Sequence, residues 1–176
     1  NPHAVGGGEL RRLYVLIVCF VLGGVPSMAH AATYYVKTTG NDSTGDGSNG
    51  NPWLTVPKGL RSLAAGDTLN ICAGTYSITG VYGNVASDKY GGGATSWATA
   101  TTIQNCPGDT YTINHDGFNM DENVSTGGVS YVIWTCDVAS RCIHNGSGGD
   151  QVGIRINNAA HHIRIQRLTV QNFTQH

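Results

Sequence analysis

Short apolar strands recur along this chain at an almost fixed interval. Ile71, Ile103, Trp134 and Ile165 are separated by 32, 31 and 31 residues. Leu69, Thr101, Val132 and Ile163 precede them by two residues and share the spacing. Each pair lies in a segment that alternates like a half-buried strand. A coil of short strands cannot bury its own apolar side chains, so such repeats stack. Stacked at ~4.8 Å, each strand pairs in parallel with the next and the inward residues form one column. The period therefore predicts a parallel β-helix of about four coils, with Ile71, Ile103, Trp134 and Ile165 in one interior column. A β-sandwich needs antiparallel hairpins, and no Asn-Gly or Asp-Gly pair forms a two-residue loop between two alternating strands.

Further strands complete the coils. Tyr111-Thr112-Ile113 follows the turn Pro107-Gly108-Asp109, and residues 152–156 open the last copy. Leu168-Thr169-Val170 closes that copy, with Cys136-Asp137-Val138 as its counterpart one coil earlier. One short helix is expected. Leu60, Leu63 and Ala64 fall at i, i+3 and i+4, Thr55 can cap the start, Pro57 sits in the first turn and Gly66 ends it.

Composition excludes other classes. Only 12% of residues are charged and the net charge is −1. A nucleic-acid binder needs clustered Lys and Arg, and a helical bundle needs charged helix surfaces. Disorder is excluded by 40% hydrophobic residues at near-zero net charge.

The N-terminal segment has the anatomy of a secretory signal peptide. Arg11 and Arg12 precede an apolar run over 13–25, Pro26 and Ser27 break it, and Ala29-His30-Ala31 is a small-x-small cleavage site. That apolar run is too short to span ~30 Å of hydrocarbon, so no stable membrane span is expected. The expected organisation is a leader over 1–31, an N-terminal strand, loop and capping helix over 32–67, and coils over 68–176. The location is extracellular or periplasmic. Once Cys19 leaves with the leader, Cys72, Cys106, Cys136 and Cys142 remain, an even set that favours two disulfides. Three pairings are open. Cys136 and Cys142 enclose five residues, compatible with a local bridge, and Cys72–Cys106 would be its complement. Zinc is disfavoured because no Cys-x-x-Cys or His-x-x-x-His spacing occurs.

Tyr34-Tyr35-Val36, Gly40-Asn41-Asp42, Pro52-Trp53-Leu54-Thr55, Gly66-Asp67-Thr68-Leu69 and Ala73-Gly74-Thr75-Tyr76 form an ordered set. It resembles the N-terminal cap of secreted right-handed parallel β-helix proteins of the pectate lyase-like superfamily. The match covers 33–77 closely; 130–175 resembles the family's coils in pattern. Gly59 departs from it, standing where a helix former is expected. The resemblance implies a right-handed parallel β-helix with a capping helix and a polysaccharide partner. It also implies polysaccharide lyase or glycoside hydrolase activity on acidic or plant-type polysaccharide, possible use of calcium, and a monomer. Catalytic groups in that superfamily lie mostly on central coils. This stretch is expected to be inactive alone, and, because it stops directly after a well-patterned strand with no C-terminal cap, to be the first part of a longer β-helix. The alternative is a non-catalytic surface or adhesion β-helix.

No residue set marks the chemistry by motif. Asp42 and Asp46, with Thr44 and Asn49, place oxygens at intervals that suit calcium, or else order an Asx-turn loop. Asp116 and Asp121, with Glu122, could bind calcium or serve as acid and base, or form a solvated loop. Arg155 alternates with Ile154 and Ile156, both expected inward, so it can offer a donor fork to a carboxylated sugar or be an ordinary surface arginine. Tyr90 and Trp97 can stack on sugars. His161-His162 reads as a turn, and Trp134 as core.

Overall fold

The computed structural model describes residues 31–78, 93–115, 118–120, 129–146, 153–156 and 160–174. Residues 1–30 of the expected leader, and Tyr90, Asp116, Asp121 and Glu122, lie outside the described residues.

In chain order the elements are β1 (Thr33–Val36), α1 (Val56–Ser62), β2 (Thr68–Ile71), β3 (Gly74–Ile78), β4 (Thr101–Asn105) and β5 (Tyr111–His115). There follow β6 (Phe118–Met120), β7 (Ser130–Thr135), β8 (Cys142–Gly146), β9 (Ile154–Ile156), β10 (His161–Gln166) and β11 (Thr169–Gln171). The strands form three parallel sheets, in the orders β1-β2-β4-β7-β10, β11-β8-β5-β3 and β6-β9. This is an all-β parallel β-helix with one short α-helix among the described residues. Alternation works as the sequence implies: Tyr111, Ile113 and His115 of β5 are buried, and Thr112 and Asn114 are not.

The interior column is shifted at its first member. Leu69, not Ile71, is opposite Ile103; Ile71 is opposite Asn105. Ile103 then meets Trp134, and Trp134 meets Ile165, as the spacing predicts, but Ile165 is 37% exposed and not interior as expected. The first coil is longer, because the insertion over 79–100 raises the offset between equivalent residues from 31 to 34. A slip of two residues preserves the face, so Ile71 remains fully buried. The Cys72–Cys106 bridge has the same sequence separation of 34 and a Cα–Cα distance of 4.7 Å. It therefore ties equivalent positions on adjacent coils. Cys136–Cys142 is the local bridge.

A second register differs from expectation. Thr169 pairs with Ile143, not with the Cys136–Val138 segment. The offset there is 26, because the bridged loop adds five residues between β7 and β8 relative to β10 and β11. Val138 lies in that loop and is exposed.

Helix α1 starts as read: the Lys58 amide donates to Thr55 Oγ1 at 3.3 Å. It ends earlier, with Leu63 as C-cap in an extended conformation rather than at Gly66. The Asp67 carboxylate captures the Ala64 amide at 2.7 Å and turns the chain toward β2. Gly59 is explained by a close approach. A Cβ there would stand 2.7 Å from Val36 Cγ2 and 3.0 Å from Leu69. The missing side chain lets α1 lie directly on the end of the core, with Val56, Leu60 and Leu63 buried against it.

Candidate functional site

The most distinctive outward-facing cluster lies at the start of β7 and β10. Tyr131 and His162 stand 31 residues apart on these neighbouring strands. They fall between the register pairs Ser130↔His161 and Val132↔Ile163. Both have left-handed backbones, φ 52° and 58°. Each such conformation costs a non-glycine residue roughly 1–2 kcal/mol. The kink is repeated in two coils, and the Tyr131 and His162 rings stack with centroids 4.3 Å apart. Trp97, in the 3₁₀ turn before β4, meets Tyr131 edge-on at 5.4 Å and His162 at 6.0 Å. His161 Nδ1 is 2.7 Å from His162 Nδ1, so one imidazole donates to the other.

Arg164 completes the cluster. Its guanidinium lies over the Trp97 ring, 4.8 Å from the centroid. Among the described residues it meets no carboxylate. Stacking uses the guanidinium's flat face and leaves its in-plane N–H fork for a planar anion. Trp97 is 42% exposed. The surface thus combines exposed aromatic area with a guanidinium held against a ring.

Of this cluster the sequence singled out Trp97 alone. His161 and His162 belong to a strand, not a turn. Tyr131 and Arg164 were missed; the only signal was the 31-residue spacing of Tyr131 and His162.

The other candidates lie elsewhere. Arg155 is in β9, opposite Asn119 of β6, and half-buried. Ile154 packs on the core as expected, whereas Ile156 is 48% exposed. Asp42 and Asp46 share the loop between β1 and α1. Asp42 Oδ1 accepts the Leu54 and Thr55 amides at 2.8 and 3.1 Å, and Oδ2 accepts the Thr55 hydroxyl at 2.6 Å. Asp46 accepts the Ser48 amide at 2.8 Å, and that bond holds its carboxyl below the usual range. These two carboxylates accept bonds from their own loop. Asp42→Ala is expected to lower stability by about 2 kcal/mol, because it removes three bonds to a charged acceptor. The loss measured by urea denaturation should be the same with and without calcium if the loop role accounts for it; a loss only in calcium would point to the metal reading.

Asp137 was not singled out by sequence. It accepts Asn105 Nδ2, the Gly108 and Val138 amides and Arg141 Nη1, at 2.6 to 3.0 Å. Desolvation opposes its ionisation, but these bonds outweigh it and lower the pKa to about 2. Such a group is a permanent anion that joins the turns of two coils, not a proton donor.

No protein-family model matches the chain, and no curated protein matches it. A solved rhamnogalacturonan lyase shares the fold, with a TM-score of 0.50 and 16% identity over 76% of this chain. The chain spans about a third of that lyase's length, 34%. At this identity the likeness establishes the parallel β-helix class and nothing finer. No helix among the described residues is long and apolar enough to cross a membrane.

Proposed function

We propose that this chain forms the first coils of a secreted carbohydrate-active β-helix that handles acidic or plant-type polysaccharide. The observation that carries the reading is the outward cluster of Trp97, Tyr131, His162 and Arg164 on a parallel β-helix. Trp97 supplies apolar area for a sugar ring, and Arg164 supplies a fork for a uronate carboxylate. Two disulfides and the fold support an extracellular location. Lyase or hydrolase chemistry in the longer protein would draw on groups beyond this cluster, with Arg155, Asp116 and Asp121 the ones to vary first. Calcium would belong with the latter two carboxylates.

A second reading, a non-catalytic surface or adhesion β-helix, is favoured by one observation. Every carboxylate among the described residues already serves structure. Asp42, Asp46, Asp67, Asp109 and Asp137 each accept backbone amides.

Affinity electrophoresis in polygalacturonate, rhamnogalacturonan and neutral galactan tests the shared part of both readings. The acidic gels should retard the chain more than the neutral one. Trp97→Ala should weaken binding about fivefold, the equivalent of losing ~1 kcal/mol. Arg164→Ala should erase the preference for acidic chains. Equal mobility in all gels would refute polysaccharide handling by these coils. Release of unsaturated ends would decide for a lyase.

A further inference from the structure

The Ala32 nitrogen donates to Asp67 Oδ1 at 2.9 Å. Asp67 is 3% exposed, and its other oxygen accepts the Ala64 amide at 2.7 Å. Among the described residues no lysine, arginine or histidine side chain reaches this carboxylate. A buried carboxylate with no cation beside it is costly unless its environment is strongly donating. Ala32 is also fixed from its other side, because its carbonyl accepts the Thr68 amide at 2.8 Å. Its nitrogen is thus held at the carboxylate by β1–β2 pairing, whatever charge it carries.

The sequence places a small-x-small cleavage motif, Ala29-His30-Ala31, immediately before that nitrogen. Ala31 is exposed. We infer that Asp67 is a receptor for the new N-terminus, and that leader removal between Ala31 and Ala32 turns a neutral amide contact into a partly buried ion pair. The inference rests on the secretion part of the proposed function, not on its carbohydrate part. Water, with the export machinery's leader peptidase as catalyst, splits the Ala31–Ala32 amide. The carbonyl carbon takes the hydroxyl and leaves as the carboxylate of Ala31. The nitrogen keeps its electron pair, takes up protons and becomes the α-ammonium of Ala32.

The consequences are local. The ammonium lies at the distance of a charge-assisted bond and needs no rearrangement to reach it. Asp67 spans the end of α1 and the start of β2, so the pair clamps β1, the helix exit and the first coil at one point. Processing would therefore complete the N-terminal cap of the solenoid as well as release the protein.

The test has two parts. Mass spectrometry of protein exported by a secreting host should give Ala32 as first residue. The secreted form is then compared with the same chain acetylated at its α-amine. Acetylation should lower the Tm by about 3–6 °C, and the difference should vanish in D67N. The acetylation comparison stands by itself if D67N fails to fold. A mature terminus at another residue, or equal melting of free and acetylated chains, would overturn the inference. Neither result bears on polysaccharide binding.

Discussion

Trp134→Ala is expected to remove about 4–5 kcal/mol of stability, the upper end of the range for a fully buried tryptophan. Trp134 has no exposed surface and stands between Ile103, which is buried, and Ile165, which is partly exposed, on the two flanking strands. It belongs to both neighbouring coil interfaces, so the cavity left by alanine cannot close by moving a single strand. Its Nε1 donates to Tyr111 Oη at 3.0 Å, and that phenol is itself buried. Burial raises the Tyr111 pKa, so the hydroxyl stays neutral and available as acceptor. Removal of the indole takes away that partner as well as the packing. Trp134→Phe separates the two effects, keeping most of the volume and losing the donor; a cost of about 1–2 kcal/mol is expected. Urea denaturation measures both. A loss below about 2 kcal/mol for the alanine variant would show that this column is not the centre of the core.

The position of Trp134 was legible in the sequence because the 31-residue period is a direct image of one coil. Where the period changes, the reading fails in an ordered way. The displacement of Ile71 by two residues followed from the long first coil, and parity kept it inside. The strand after Cys136 was misplaced because a disulfide-closed loop adds residues without adding a strand. Neither length could be converted to a register from one sequence, since a loop's size says nothing about which residues resume pairing. Gly59 looked like a flaw in the helix because a helix-propensity argument sees one element, whereas its cause is the approach of Val36 and Leu69 from outside it. The outward cluster was nearly invisible for a similar reason. Strict alternation has no place for a left-handed residue inside a strand. The kinks at Tyr131 and His162 are understood only with both coils stacked. Asp42 was seen as oxygen-rich and ambiguous; the loop partners it holds, Leu54 and Thr55, are twelve and thirteen residues away.

Acid should destabilise the fold well above the range where carboxylates titrate. His115 and His144 are both fully buried on adjacent strands of one sheet, with Nε2 and Nδ1 3.1 Å apart. Aromatic rings surround them: Trp134 is 4.9 Å and Tyr111 6.4 Å from His144, and Phe173 is 5.0 Å from His115. Desolvation, and secondarily the charge of His115, lowers the His144 pKa to about 3. The sign follows from which state binds the proton. Below the ordinary histidine value of about 6.5 the unfolded chain takes up a proton that the folded chain refuses. Stability is therefore full above that value and falls as pH drops toward 3, by up to ~1.4 kcal/mol per pH unit for one proton. Between pH 6.5 and 4.5 the loss is on the order of 2 kcal/mol, a large part of a small domain's stability. Asp137 acts in a separate window. Its lowered pKa contributes stability above its ordinary value near 4, which is lost only as pH falls from there toward 2. Urea midpoints from pH 7.5 to 4.5 isolate the histidine effect. His144→Leu should flatten the profile over that interval, whatever its stability at neutral pH. A wild-type profile already flat from pH 6.5 to 4.5 would mean that His144 accepts its proton in the fold, and the depressed His144 pKa would have to be abandoned.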